Sequence, residues 1–230
     1  MSPIEVLTAA ALHSMVPEAV NVCSPIVNGQ LAIAPTVVRA LAQVACRESL
    51  EAAVVRRRVE LGIATVIDDP NEPSVYGSKS RDASVLASLV SFEGGLNPYV
   101  DDGRCNDTTW RATHADILRA GDCDGGHAWT EFQIHAEGGL ALVGTGWSVW
   151  RWAPAGSVKI TGPDLVADPS LAARVALHIL RQNGMTGYTG EGRETHPKAD
   201  TRLKRAKKWL ATYSEVQPCA QSTSDASVQP

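Results

Sequence analysis

No run of apolar residues in this sequence approaches the roughly 20 needed to cross a bilayer, so an integral membrane helix is excluded. The start, Met1 to Leu12, lacks the basic stretch and clean apolar segment of a secretory signal. Such a chain is either made in the cytoplasm and leaves by another route, or has already lost its signal. Positive charge is not in excess: 21 Lys and Arg stand against 25 Asp and Glu. The resulting net charge of −4 and pI near 5.9 argue against a nucleic-acid binder working by bulk electrostatics. None of the five cysteines sits in a Cys-x-x-Cys pair, which leaves zinc and redox motifs weak. His114, His127 and His135 match no zinc spacing, and no nucleophile elbow is present. Asp122-x-Asp124-Gly-Gly lacks the twelve-residue spacing and closing Glu of a calcium loop. No metal and no cofactor is therefore expected, and no internal repeat is visible.

What is present suits a globular chain. Hydrophobic residues make up 44% and charged residues 20% of 230 positions, enough for one medium domain with modest appendages. Val38, Leu41, Ala45, Ala52, Val55 and Val59 recur near helical spacing, and Pro35 suits a first turn, so 35–61 reads as a long helix ending on Arg56-Arg57-Arg58. The Pro- and Asp-rich stretch 68–81 reads as a linker. This divides the chain into an N-terminal helical segment, 1–70, a main domain, 80–213, and a polar, disordered tail, 214–230. Within the main domain, Asp82 is placed to cap a helix ending at Glu93, and a short helix is expected at 112–119. Asp168-Pro169 starts another that stops at Asn183-Gly184, and a last one runs over 200–213. That last helix carries Leu203, Ala206, Leu210 and Tyr213 on one side and Lys204, Arg205, Lys207 and Lys208 on the other, the latter read as a solvated face. Strand signals are confined mainly to 141–143 and 157–160, so the class is predominantly α. Cys105 and Cys123 bracket one turn-rich segment and Cys23 and Cys46 another. Two disulfides with Cys219 left over, and five free thiols, both stay open.

One acidic residue stands out. Leu86, Leu89 and Val90 form an apolar stripe, and Glu93 continues it at helical spacing. A carboxyl on a buried face has its pKa raised by desolvation, as a general acid near neutral pH requires. Turned to solvent or paired with an arginine, the same residue would be an ordinary helix end. The downstream text bears on the choice. Glu93-Gly94-Gly95-Leu96-Asn97-Pro98 is followed by Trp129-Thr130-Glu131-Phe132-Gln133-Ile134, then by Gly187-Tyr188-Thr189-Gly190 and a final helix.

This order resembles the lysozyme-like superfamily in its lytic transglycosylase and goose-type lysozyme group, over roughly 82–213. The resemblance implies a lysozyme-like fold, α+β with few short strands, preceded here by the N-terminal helical segment. It places Glu93 at the catalytic acid, Phe132-Gln133-Ile134 at a cleft-lining Met-Gln-Ile segment, and Tyr188 at the Tyr of an Ala-Tyr-Asn-Ala-Gly turn. Four departures are visible: Gly94 stands for the usual Ser, Thr130-Glu131 for Gly-Leu, and Thr189 for Asn, and the stretch from Glu93 to Gln133 is longer than in compact members of the family.

The activity implied is cleavage of the β-1,4 bond between N-acetylmuramic acid and N-acetylglucosamine in peptidoglycan. Glu93 would protonate the leaving oxygen and then act as base on the sugar's own 6-hydroxyl, giving a 1,6-anhydro end. Attack by water would make a lysozyme, with Glu131 or Asp101 as the candidate second carboxylate; Asp102 and Asp116 are weaker. Gln133, Tyr188 and Thr189 are the expected polar contacts, and Phe132 and Trp129 the expected sugar-packing surfaces. The expected partners are glycan strands, met in the periplasm or cell wall. With no signal visible, a bacteriophage product fits, either virion-associated or released on lysis, with the N-terminal segment serving a virion or assembly partner. Two other readings stay open: an inactive structural protein on the same fold, and a chitinase-like hydrolase.

Overall fold

The structure is a computed structural model that describes residues 26–27, 30–31, 38–118, 121–190 and 197–213, with side chains from residue 51 onward, 53 apart. The disordered-tail expectation for 214–230 and the Cys23–Cys46 pairing lie outside the described residues. The described chain is mostly helical, with a few short antiparallel strands. A two-residue pair, β1 (Ile26–Val27) and β2 (Gln30–Leu31), precedes the long helix α1 (Val38–Asp68).

Helix α1 runs on past the expected end at 61 because its apolar stripe does: Val55, Val59, Ile63, Val66 and Ile67 are all buried. It stops where Pro70, which has no N–H to give, follows Asp68 and Asp69. Arg56, Arg57 and Arg58 therefore lie within the helix and not at its C-terminus. Arg56 and Arg57 pair with Glu60 at 2.5 and 3.3 Å. Arg58 reaches across to Asp101 at 3.0 Å and donates to the Val166 carbonyl at 2.5 Å.

The sequence separates 1–70 from 80–213, yet the described part of α1 shares one core with Leu86, Leu89, Leu177 and Leu180. The stretch expected as a linker is stapled down. Glu72 is buried and accepts from His178 Nε2 at 3.0 Å and from Arg181 at 2.6 Å, while Asp69 pairs with Arg174 at 2.8 Å.

Helix α2 (Lys79–Glu93) is the central element, buried continuously from Asp82 to Val90. Its N-cap is Ser78, whose hydroxyl accepts from the Arg81 N–H, and not Asp82. Asp82 lies one turn in and accepts from the N–H groups of Val75 and Tyr76 at 3.0 and 2.8 Å, so it ties the preceding loop instead. Ser88 satisfies its buried hydroxyl on the Arg202 carbonyl, 2.8 Å away.

Short elements follow. Asn97 caps α3 (Pro98–Asp101), and Asp107 caps α4 (Thr108–Thr113), which falls earlier than the helix expected at 112–119 because the cap lies earlier. Cys105 and Cys123 are joined in a disulfide and buried against Val100. Two hairpins come next: β3 (Ala128–Trp129) with β4 (Ile134–His135), and β5 (Leu140–Val143) with β6 (Gly146–Val149). The strand expected at 157–160 reduces to one bridge, Leu140 to Ile160.

Helix α5 (Gly162–Ala167) leads into α6 (Pro169–Tyr188), where Asp168 accepts from the Ser170 and Leu171 N–H groups and Pro169 fills the first turn, as the sequence implies. At Gly184 the backbone breaks (φ 66°, ψ 179°), but one more turn follows and carries Tyr188. Helix α7 (Pro197–Tyr213) starts three residues before the expected 200, on Pro197.

Helix α1 packs along α6 and α2 along α7. The first contact is tight. A Cβ on Gly62 would lie 2.5 Å from the Pro169 carbonyl oxygen, so only glycine lets the start of α6 approach. Ile63 and Ile67 beside it are fully buried, each contributing about 1.5–3 kcal/mol of apolar transfer. Gly62→Ala should therefore destabilise the fold by about 1–3 kcal/mol through overpacking, despite alanine's better helix propensity. Urea denaturation of the pair checks this, and an unchanged or raised midpoint would contradict it.

Candidate active site

Three stretches far apart in sequence converge on a cleft of about 670 Å³. The end of α2 and the turn after it supply Ser91, Phe92, Glu93, Gly94 and Gly95; the loop before β4 supplies Gln133; the last residue of α6 and the two that follow supply Tyr188, Thr189 and Gly190. Asp122, Asp124 and His135 form another wall, and Lys198 and Arg202 of α7 complete it. A more apolar groove of about 520 Å³ runs between α2 and α7, past Tyr76, Val85, Leu203 and Leu210, and no carboxylate among the described residues lines it.

Glu93 is the last residue of α2, with Gly94 as the C-cap. The core ends at Val90, so the Glu93 side chain emerges into the cleft and is 20% exposed. The unpaired carboxyl on a buried apolar face that the stripe implies is not what the fold provides. Glu93 Oε1 accepts from Arg202 Nη2 at 2.5 Å and from Nε at 2.8 Å. Arg202 also donates to the Lys198 carbonyl and lies over the Phe92 ring, 5.0 Å from its centre.

The sequence does not single out Arg202, which passes for one more cation on a basic helix. The signal was its spacing. Ala199, Arg202, Ala206 and Trp209 recur at helical intervals, and all four are buried. The helix turns this face inward and leaves Leu203 and Leu210 only half-buried.

Tyr188 donates its hydroxyl to the Phe132 carbonyl at 2.6 Å, which locks the last turn of α6 to the loop carrying Gln133. Burial, with the Glu93 carboxylate nearby, pushes the phenol well above its ordinary pKa against the opposing pull of Arg202. It thus remains a donor throughout the neutral range. Gln133 donates from Nε2 to the Thr130 carbonyl at 3.3 Å, and Thr189 donates its hydroxyl to the Thr186 carbonyl at 3.2 Å.

The other expected residues lie elsewhere. Phe132 is 2% exposed and belongs to the core, because Thr130 (φ 61°) and Gln133 (φ 51°) are both left-handed and turn the intervening residues inward. Trp129 packs against Gly162 and Gly103, away from the cleft. Asp101 is buried against Arg58 of α1, and Glu131, at 0% exposure, sits against Gly94 and lines a separate small cavity with Asp101 and Arg58. Among the described residues, the carboxylates that share the cleft with Glu93 are Asp122 and Asp124. Asp122 accepts from Tyr99 Oη at 2.9 Å, and Asp124 pairs with His135 at 3.1 Å.

Backbone conformation marks the same place. Among the described residues, every non-glycine position with positive φ belongs to a loop walling the cleft: Leu96, Cys123, Asp124, Thr130 and Gln133. Such conformations cost about 1–3 kcal/mol each and persist where surrounding structure enforces them, most often at functional sites. No group of three or more His, Cys, Asp or Glu side chains that could hold a metal ion occurs among the described residues. No family model, curated protein or solved structure matches the chain.

Burial pushes Asp101 up to about 6, outweighing Arg58, and Asp102 adds to the shift. Its carboxyl therefore binds a proton more tightly in the folded chain than in the unfolded one. The resulting stabilisation is full below about pH 4 and is lost as pH rises through about 6. The melting temperature of the native protein minus that of Asp101→Asn should fall over this window; a difference that rose instead would mean that the Arg58 pair dominates.

Proposed function

We propose that this protein is a peptidoglycan-cleaving glycosidase on a lysozyme-like scaffold, a lytic transglycosylase with Glu93 as its acid and base. One observation carries this reading: a single open cleft gathers Glu93, Gln133, Tyr188 and Thr189 from three separate segments. The sequence resemblance requires these residues to meet, and nothing local in the chain does.

In this mechanism a glycan strand lies along the cleft with its scissile oxygen against the Glu93 carboxyl. Gln133 and Thr189 offer amide and hydroxyl groups to the N-acetyl and hydroxyl substituents. Tyr188 holds the wall in place through Phe132 and sets the shape of the site beside the acid. Protonation of the leaving oxygen develops positive charge at the anomeric carbon, and the ionised Glu93 then takes the proton of the 6-hydroxyl as that oxygen closes the 1,6-anhydro ring. For Glu93 to give a proton, its bonds to Arg202 must open as substrate enters. Arg202 then stands free to stabilise the carboxylate formed when the proton leaves. If water attacks in place of the 6-hydroxyl, Asp122 or Asp124 is the carboxylate available to guide it.

The Glu93–Arg202 pair also favours a second reading, in which the cleft is a relic and the pair a structural clamp in an inactive assembly protein. A zymogram on purified cell walls separates the two. The native protein should clear the wall, and Glu93→Gln should retain the fold by circular dichroism while losing about 10²–10⁴-fold in rate, the usual worth of a positioned proton donor. A folded native protein that clears nothing supports the clamp. Mass spectrometry of released fragments should find anhydro ends, reducing ends marking hydrolysis instead. Cleavage of chitin oligomers without action on walls would move the substrate to chitin.

A further inference from the structure

Glu131 is fully buried, yet among the described residues it forms no ion pair and its Oε1 has no hydrogen-bond partner. Its other oxygen, Oε2, accepts from the Leu96 N–H at 2.7 Å, and the Asn97 N–H also bonds to this carboxyl. These two donors belong to the turn that follows Glu93. That turn is strained, with Gly95 at φ 66° and Leu96, a branched apolar residue, at φ 61°. It has no other described acceptor for the Leu96 N–H. The chain at residue 131 presses so close that a Cβ on Gly94 would lie 2.0 Å from Glu131 Oε2 and 2.6 Å from its Cα.

We propose that Glu131 is a positioning residue: its buried carboxyl clamps the Gly94–Asn97 turn and thereby fixes the direction in which Glu93 leaves helix α2. A carboxyl serves better than a water molecule here, because it is covalently tied to the Gln133 loop. One group thus sets the spacing between two walls of the cleft. Burial pushes its pKa well above the ordinary value, the nearby Asp101 charge adds to this, the turn's N–H groups oppose it, and Asp122 contributes a further increase. Burial thus disfavours the charged form of a carboxyl that has no ion pair among the described residues. The role is one of geometry and not of charge, so Glu131 is distinct from the second carboxylate that a hydrolase would need.

The test rests on the glycosidase reading for its rate measurements and on geometry alone for its backbone measurement. Two variants are compared with the native full chain: Glu131→Gln, which keeps shape and acceptor, and Glu131→Leu, which keeps volume but takes the acceptor from the buried Leu96 N–H and from its neighbour at Asn97. Hydrogen exchange at the Leu96 and Asn97 amides and kinetics on soluble uncrosslinked glycan strands are both followed.

Glu131→Gln should leave the two amides protected and kcat within about threefold of native. Glu131→Leu should speed their exchange and lower kcat, each by about tenfold or more, with KM within about twofold, since the acid is misdirected while the binding walls remain. Loss of activity in Glu131→Gln with the amides still protected would overturn the proposal, because the charge itself would then be required. Unchanged exchange in Glu131→Leu would also overturn it. If the leucine variant fails to fold, the glutamine result decides alone: retained kcat supports the positioning role and lost kcat refutes it. If the native protein cleaves nothing, the glycosidase reading fails, and the amide exchange of the two variants still tests the clamp.

Discussion

The chain at Glu131 passes so close beneath Gly94 that no side chain fits between them, and the cleft depends on this approach. It ends helix α2 at a glycine, forces Leu96 into a left-handed conformation, and brings the Gln133 loop against the acid-bearing turn. Gly94 and Glu131 are thus one arrangement. A serine at 94 would collide with the backbone of 131 even if residue 131 were small, since the Cα alone lies within 2.6 Å.

Some of this was legible in the sequence, and the dividing line is physical. Asp168-Pro169 announces the start of α6 because capping and proline geometry are local to the residues that show them. Glu93, Gln133, Tyr188 and Thr189 could be picked out because their short motifs keep their order, and all four line the cleft. Phe132 and Trp129 could not be oriented, because positive φ at Thr130 and Gln133 overrides the alternation expected of a strand. The end of α1 and its place in the core depend on α6, which comes a hundred residues later. Asp101 reads as a turn residue until Arg58 of α1 is folded against it. Arg202 was hidden by its neighbours, since its stripe of Ala199, Ala206 and Trp209 competes with the more apolar Leu203 and Leu210 on the next face of the helix.

Charge carries much of the long-range organisation. Glu93 with Arg202, Glu72 with His178 and Arg181, and Asp101 with Arg58 each join segments that are remote in sequence, at sites where at least one partner is buried. Removing one partner strands the other in a poorly solvated place, which costs more than replacing both. These contacts therefore constrain pairs of residues and not single positions. The Glu93–Arg202 contact differs from the rest because both of its partners line the open cleft.

The disulfide between Cys105 and Cys123 bears on how one wall of the cleft is held. The wall that presents Asp122 and Asp124 is short of regular structure, and a covalent bridge across eighteen residues ties it to the small cluster around Val100. A loop of this length is stabilised by about 3 kcal/mol when closed. In a reducing cytoplasm that bridge does not persist. The helical core holds no described disulfide, whereas the acidic wall takes part of its rigidity from this one. The shape of the cleft is thereby coupled to the redox state of one bond through the side that carries Asp122 and Asp124, and not through the Glu93 side.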